Sequence, residues 1–512
     1  MDSERISNYR STLLVIFVSS VNIELPRRLK MKEYDLIAIG TGSAMRVVNG
    51  MISENPAVKI AVIDKDEPGG ICLTKGCIPS KLLIHPADLV RTVEETAKFG
   101  IEVQVKGIDF KGIMDRMRAN ISKGINVVRS GLEEDENIDY YHDVAEFVAP
   151  YTLKVGINVL KADIILLTTG SKPTIPAIKG LAEVNYHTSD TLLEMTELPE
   201  SMAILGGGYI AAEYGHFFSA MGAQVTIIGR NPQFLPDEEP EVSTLAKREL
   251  SKYMCLLTNH EVVQVQDTDS GKKKILAESR ARGSKVELYA EEILIATGRG
   301  PNTEILRPEK AKIKTDKDGW IVVDEYLQTS QPNIWAFGDA NGKHPFKHKA
   351  NYEAFIVYNN AILGEKVKAD YHAIPHAVFT HPEIASVGMK EREAIETWGE
   401  ENVLIGFKRF QDTAKGEAMA VQDYFVKVIV EQRSNRILGA HIIGPHASIL
   451  IQELVTLMYT PSQSALPIIF GMHIHPALSE VVERAFDSLM YTSQYHHLVE
   501  EHLHYGEQKP FS

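Results

Sequence analysis

Cysteine is scarce in this sequence: Cys72, Cys77 and Cys255 are the only three among 512 residues. So few cysteines exclude a small disulfide-stapled fold and point to a reducing cytoplasm. Basic residues are also in short supply, 54 Lys and Arg against 68 Asp and Glu, for a net charge of −14. That balance argues against nucleic acid or an anionic membrane surface as a partner. Long apolar runs are lacking as well. Residues 13–18 are apolar but too few to span a bilayer. Asp2 and Glu4 precede them and no small-residue cleavage site follows, which is not the layout of a secretory signal. Met31 stands directly before the first convincing strand, so residues 1–30 read as a loose extension. The remainder is ordinary globular material, 44% hydrophobic and 24% charged. Its length suits about three domains with large cores.

Two of the three cysteines fall within residues 69–81, Gly-Gly-Ile-Cys-Leu-Thr-Lys-Gly-Cys-Ile-Pro-Ser-Lys. On an ideal helix, positions five apart rise about 7.5 Å and face different ways, beyond disulfide reach. A bridge between Cys72 and Cys77 therefore needs a distorted turn, which Gly76 can supply. So short a loop closes little chain entropy, while a strained bridge near a helix start is easily reduced. Half of a zinc site and a pair of buried thiols are the alternatives. Zinc usually takes ligands paired with two to four residues between them and a second such pair elsewhere, and only Cys255 remains. Redox chemistry is the reading these residues favour. Cys255 itself reads as a small buried hydrophobe.

Around this stretch the chain shows a dinucleotide-binding pattern twice. Residues 34–39 read as a buried parallel strand that enters Gly40-Thr41-Gly42, a helix to about Glu54, and a second strand ending at Asp64. The glycines admit a pyrophosphate to the helix N-terminus, and Asp64 can accept from a ribose. Met45 stands where a third small residue is usual. Residues 88–135 look mostly helical. The strand 164–167 closes on Thr168-Thr169-Gly170, where Thr169 and Gly170 are candidate cofactor contacts and the chain crosses to a new domain.

The second unit runs from the strand 203–205 into Gly206-Gly207-Gly208 with Ala211 in the third small position. Its second strand ends in Gly229-Arg230 instead of an acid, and arginine suits a 2′-phosphate, so NADP is favoured over NAD. Ala296-Thr297-Gly298 repeats the earlier strand ending, an internal echo that makes Gly298 a further candidate. Lys272-Lys273-Lys274 reads as an exposed hairpin tip. Phe337-Gly338-Asp339 places a carboxylate at a strand end. Beyond His372, alternating stretches such as 425–430 read as an antiparallel α+β domain. The histidines of residues 495–504 lack one-face spacing and read as a solvated end, so no metal site is assigned.

Together these motifs resemble the FAD-dependent pyridine-nucleotide disulfide oxidoreductases, most nearly the dihydrolipoamide dehydrogenase and mycothione reductase branches. The resemblance covers about residues 31–491 and rests on residues 69–81, Phe337-Gly338-Asp339 and His473-Ile474-His475-Pro476 in that order. It implies an α/β chain with two Rossmann-like domains, for FAD and NAD(P), and a C-terminal α+β dimerisation domain. The implied boundaries are 1–30 extension, 31–176 with 306–371 for FAD, 177–305 for NAD(P), 372–495 for the interface, and 496–512 tail.

The resemblance assigns Gly40, Gly42 and Asp64 to FAD, with Lys81 near the flavin and paired to Glu213. It places Asp339 on the ribityl chain and His348-Lys349-Ala350 against the ring. Gly206, Gly208 and Ala211 would face the nicotinamide nucleotide. Cys77 would face the flavin, Cys72 would exchange with substrate, and His475, oriented by Glu480, would be the acid/base. That histidine would come from the partner subunit, so a homodimer is implied. The implied activity is electron transfer between NAD(P)(H) and a dithiol or disulfide through FAD in the cytoplasm. A lipoyl substrate is favoured by Pro79-Ser80-Lys81; NADPH-driven reduction of a small disulfide is the rival, supported by Gly229-Arg230. Mercuric reduction would require a C-terminal cysteine pair, and no cysteine follows Cys255. A flavoprotein kept for binding or assembly is opposed by both cysteines and the His475/Glu480 pair.

Overall fold

A computed structural model describes residues 30–502, so residues 1–29 of the extension and the last ten residues lie outside it. The first sheet is parallel at its centre, in the order 138–142, 60–64, 30–39, 158–167. Leu36, Ile37, Ala38 and residues 60–63 are fully buried, as strands covered on both faces must be. The opening strand, Lys30–Ile39, begins four residues earlier than its apolar pattern indicates. Its polar first half pairs with residues 158–162, which also return antiparallel against Thr152–Val155. Farther along, the same strand of 158–167 takes Ile334–Ala336 in parallel, which brings a distant segment to the sheet's carboxyl end. Strand order reverses beside Lys30–Ile39, and that end of an open α/β sheet is where ligands bind.

A second parallel sheet has the order 255–257, 224–228, 201–205, 292–295, 187–188. A three-stranded antiparallel sheet of residues 260–290 packs on it through Val265, Ile275 and Ala277. The third region is a six-stranded antiparallel sheet centred on Phe425–Glu431 and Arg436–Ile443. Both strands are buried almost throughout, because Ala447–Met458 and Ser479–Asp487 pack against them. Among the described residues, no helix is long and apolar enough to cross a membrane.

Several expectations change. The helical stretch divides into Cys77–Glu94 and Phe110–Glu134, because Gly100 turns left-handed (φ +74°) and Asp109 caps the second helix through the Gly112 N–H at 2.8 Å. Lys273 does not sit on an exposed tip. It is buried within the strand Lys273–Ser279, its ammonium held by the Glu291 carbonyl and by Glu292 at 3.1 Å. Cys255 is exposed, not buried, since Cys255–Leu257 is the edge of its sheet. Of the stretch 495–504, residues 503 and 504 lie outside the described residues, and the part described is not simply solvated: Tyr495 is fully buried, and its hydroxyl donates to Glu241 at 2.9 Å.

Candidate active site

The carboxyl end of the first sheet opens into a cavity of about 970 Å³. Gly40 (φ +108°) turns the chain there, and a Cβ on it would stand 2.3 Å from the Thr168 carbonyl oxygen. Gly70 (φ +71°) lies so close to the glycine turn that a Cβ would come within 2.7 Å of the Gly42 Cα. Asp64 closes the second strand and accepts from the Thr41 N–H at 2.8 Å and the Thr41 hydroxyl at 2.5 Å. The same hydroxyl accepts from the Gly69 N–H at 2.8 Å, tying the turn to the cysteine segment. Burial raises the Asp64 pKa, opposed by those hydrogen bonds. Thr169 and Gly170 line the cavity too, and the buried Thr169 hydroxyl has no hydrogen-bond partner among the described residues. A glycine cradle, a carboxylate at the strand end and an unsatisfied buried hydroxyl fit a bound FAD.

The dithiol stands in the same wall. Gly70–Thr74 forms one short helix, Lys75 and Gly76 break it, and Cys77 starts Cys77–Glu94. That break draws Cys72 and Cys77 into hydrogen-bonding contact across a spacing that a continuous helix would hold apart. The Cys77 thiol hydrogen-bonds to Cys72 and draws its pKa down to about 7, with help from the Lys347 ammonium. Cys77 is correspondingly pushed up by that shared proton and by burial. The pair thus loses its first proton near neutrality and keeps its second.

Three regions of the chain meet behind the sulfurs. Lys81, one turn along the cysteine helix, reaches Glu213 of Tyr209–Met221 at 2.6 and 2.8 Å. Glu213 also accepts from the Phe379 N–H at 3.2 Å, and the Lys81 ammonium lies 4.4 Å from the Phe379 ring centroid. Asp339 accepts from the Ser171 hydroxyl at 2.6 Å, and Ser171 is gripped in turn by Arg299 at 2.7 and 2.8 Å. His348 lines the cavity and meets the Pro375 carbonyl at 2.7 Å. Lys349 and Ala350 line the cavity as well, and the Lys349 ammonium is held by Glu353 (2.9 Å) and the Asn341 side chain (2.9 Å), bracing the Asp339 turn.

The second glycine turn lies apart from this cavity. Gly206 (φ +135°) packs so tightly that a Cβ would meet the Ala296 carbonyl oxygen at 2.1 Å, whereas one on Gly208 would meet nothing within 4 Å. Space before a helix N-terminus is where a pyrophosphate fits. Ala211 is fully buried, so it does not face a nucleotide; its small size lets the helix approach the sheet. Arg230 is exposed at the strand end. Gly298 (φ +108°) lies at the crossing between the two sheets, where its carbonyl accepts from the Thr174 N–H at 3.0 Å.

His475 and Glu480 are not among the residues that line their own chain's cavity. The imidazole Nδ1 meets Glu480 at 2.8 Å, while the side chain is 65% exposed. Glu480 is buried, accepts from the Ala477 N–H and Arg484 at 3.1 Å each, and is held below the usual carboxylate range chiefly by the His475 hydrogen bond. Phe470, Met472 and Ile474 are strongly exposed on the same loop. Such a patch on an otherwise packed domain marks an association surface.

Sequence reasoning missed Lys347, Ser171, Arg299 and Tyr209. Lys347 directly precedes His348, yet only the fold puts it beside the sulfurs. Its ammonium donates to the Ser43 hydroxyl at 3.0 Å. Tyr209 opens the second nucleotide helix but lines the first cavity, and burial pushes its hydroxyl up to about 12. A second glycine turn immediately before an aromatic was the available signal.

A dinucleotide cavity walled by a dithiol, with a second nucleotide turn nearby, defines a nucleotide-linked thiol redox enzyme. The chain belongs to the pyridine nucleotide-disulphide oxidoreductase family: that family's model matches residues 34–354, and its dimerisation-domain model matches residues 374–486. It is an FAD-dependent disulfide oxidoreductase that uses NAD(P)H. Mycothione reductase of Mycobacterium tuberculosis (strain H37Rv) is 34% identical over 471 residues, 89% of this chain and 99% of that protein. Dihydrolipoyl dehydrogenase of Synechocystis sp. (strain PCC 6803) is 32% identical over 89% of this chain and 98% of its own. The structure of the HOCl-induced flavoprotein disulfide reductase RclA from Escherichia coli superposes with a TM-score of 0.77 at 26% identity, over 89% of this chain and 99% of that one. The dimerisation domain supports a homodimer.

Proposed function

We propose that this protein is a homodimeric cytoplasmic enzyme that reduces a low-molecular-weight disulfide with NADPH, through Cys72 and Cys77. The observation that carries the reading is the placement of both sulfurs in the wall of the FAD cavity, with Cys72 drawn down to about 7. Gly40, Gly42, Asp64, Thr169 and Gly170 are suited to hold the FAD nucleotide, and Lys81, Asp339 and His348 its flavin end. Gly206, Gly208 and Arg230 are suited to NADPH, with Gly298 at the crossing beside them. FAD, when bound, relays an electron pair between nicotinamide and dithiol.

The chain's own groups perform the exchange. The Cys72 thiolate attacks one substrate sulfur, a mixed disulfide forms, and the first substrate thiolate leaves. The imidazolium of His475 of the partner subunit protonates that sulfur, then takes the Cys77 proton. Cys77 attacks Cys72, the Cys72–Cys77 bond closes, and the second thiolate leaves with the proton returned by the imidazole. One substrate disulfide and two enzyme thiols become two substrate thiols and one enzyme disulfide. Glu480 fixes the imidazole tautomer so that Nε2 faces the sulfurs.

Arg230, with no carboxylate at its strand end, favours NADPH and hence the reductive direction. The Lys81–Glu213 pair is common to both readings and does not separate them, so the preference for a small disulfide rests on Arg230. A lipoyl substrate is the second reading, supported by the likeness to dihydrolipoyl dehydrogenase. The test is a panel of NADH and NADPH against lipoamide, mycothione and glutathione disulfide. Turnover with NADPH and a small disulfide supports the proposal; turnover confined to lipoamide with NAD overturns it.

A further inference from the structure

Arg230 is a single cation in the sequence pattern, but the fold gives it a neighbour fifty residues away. Arg280 Nη1 donates to the Arg230 carbonyl at 3.1 Å. Three backbone bonds tie both segments to residues 259 and 260 between them. His260 donates to the Gly229 carbonyl at 3.0 Å, Asn259 to Asn231 at 2.8 Å, and Arg280 to Asn259 at 2.9 Å. The end of the second nucleotide strand is therefore stitched to the turn that follows Lys273–Ser279.

We propose that Arg280 is a second specificity-determining residue for the nicotinamide nucleotide, forming with Arg230 a two-arginine clamp for the 2′-phosphate of NADP(H). This rests on the NADPH reading above. A phosphate monoester carries nearly two negative charges at neutral pH, and one exposed arginine neutralises only part of that in water. A guanidinium already anchored by one N–H to a backbone carbonyl is pre-positioned, so less side-chain freedom is lost when its other N–H groups meet the phosphate. Arg280 is 49% exposed, and among the described residues Glu261 is the carboxylate beside it, 4.0 Å from Nε. That pair is long enough and wet enough to yield to a phosphate. The strand Gln224–Ile228 carries no acid that would repel one, and Gly229 and Arg230 follow it.

Binding of 2′,5′-ADP and of 5′-ADP to the holoenzyme, by calorimetry, tests the clamp. Arg280→Gln is expected to weaken 2′,5′-ADP by about tenfold, the loss of one charge-assisted contact, while 5′-ADP is unaffected. The same factor should appear in kcat/KM for NADPH, through KM with kcat unchanged, and not for NADH. Arg280→Lys should lose less, and Arg282→Gln, in the same turn, should change little. If Arg230→Gln weakens 2′,5′-ADP and Arg280→Gln does not, the clamp is wrong and the NADPH reading stands. An equal loss from Arg282→Gln reduces the effect to general charge and overturns the clamp. If wild type binds the two nucleotides equally and no variant matters, the NADPH reading itself fails.

Discussion

Lys81 Nζ lies 2.6 Å from a carboxylate oxygen of Glu213, joining the cysteine helix of the first nucleotide unit to the opening helix of the second. Glu213 is buried, whereas Lys81 keeps a third of its side chain in solvent. Burial pushes the Glu213 pKa up, and Lys81 is the main force holding its charge.

Removing Lys81 should therefore leave a buried carboxylate without its cation. Lys81→Met is expected to destabilise the holoenzyme by about 3 kcal/mol, at the low end for a broken buried pair because water reaches the lysine side. A lowered thermal midpoint measures this, and adding Glu213→Gln should recover part of the loss. A single variant as stable as wild type would show that the pair contributes nothing.

The thiol pair carries a pH prediction. Cys72 has its pKa drawn down to about 7, first by the Cys77 hydrogen bond and then by Lys347. Alkylation of the reduced enzyme at Cys72 should accordingly rise with pH through a midpoint near 7 and fade below it, because only the thiolate reacts. Lys347→Met should move that midpoint upward. Stopped-flow iodoacetamide rates across pH 5–9, with peptide mapping, would settle the direction; a midpoint near the ordinary thiol value in both proteins refutes it.

Gly70 offers a test of the cavity that does not depend on turnover. Its left-handed backbone and the 2.7 Å approach to Gly42 leave no room for a methyl group. Gly70→Ala should displace the turn that holds the dinucleotide and weaken FAD binding by at least about tenfold, a cost of about 1.4 kcal/mol. Flavin release on gel filtration reads it directly. Gly271, left-handed (φ +80°) with nothing within 4 Å, provides a control that shares the strain but not the site.

The exposed His475 predicts a shared active site. His475→Ala should lower disulfide turnover by about 10²–10⁴. Mixing it with Cys72→Ser, itself inactive, should restore about a quarter of wild-type activity, since half the dimers are mixed and each holds one intact site. Absence of complementation after verified subunit exchange would place both groups in one chain.

Local pattern carried much of this fold. The strand 34–39, the glycine turn and Asp64 are neighbours in sequence as well as in space, so the dinucleotide unit can be read from spacing alone. His475 and Glu480 are legible for the same reason. What escaped was set by distant packing. Lys347 and Arg280 look like any surface cations until a helix start and a hairpin turn carry them to the sulfurs and to Arg230. Lys273 and Tyr495 are polar enough to suggest solvent, yet each is buried against a partner from another segment: Glu292 for Lys273 and Glu241 for Tyr495. Cys255 misled in the opposite sense, because burial of a cysteine depends on whether its strand is central or at the edge. Ala211 had the right size for its place but a packing role, which only the helix–sheet contact reveals.

The account is tested most directly by asking which sulfurs reduced nicotinamide changes. FAD-loaded protein, oxidised in air and then held without oxygen, should be unfolded in denaturant containing iodoacetamide before and after NADPH, so that every free thiol reacts, and the three cysteine peptides quantified. Labelling of Cys72 and Cys77 is predicted to appear only after NADPH, with exposed Cys255 labelled equally in both samples. Equal labelling of Cys72 and Cys77 with and without the nucleotide would contradict it.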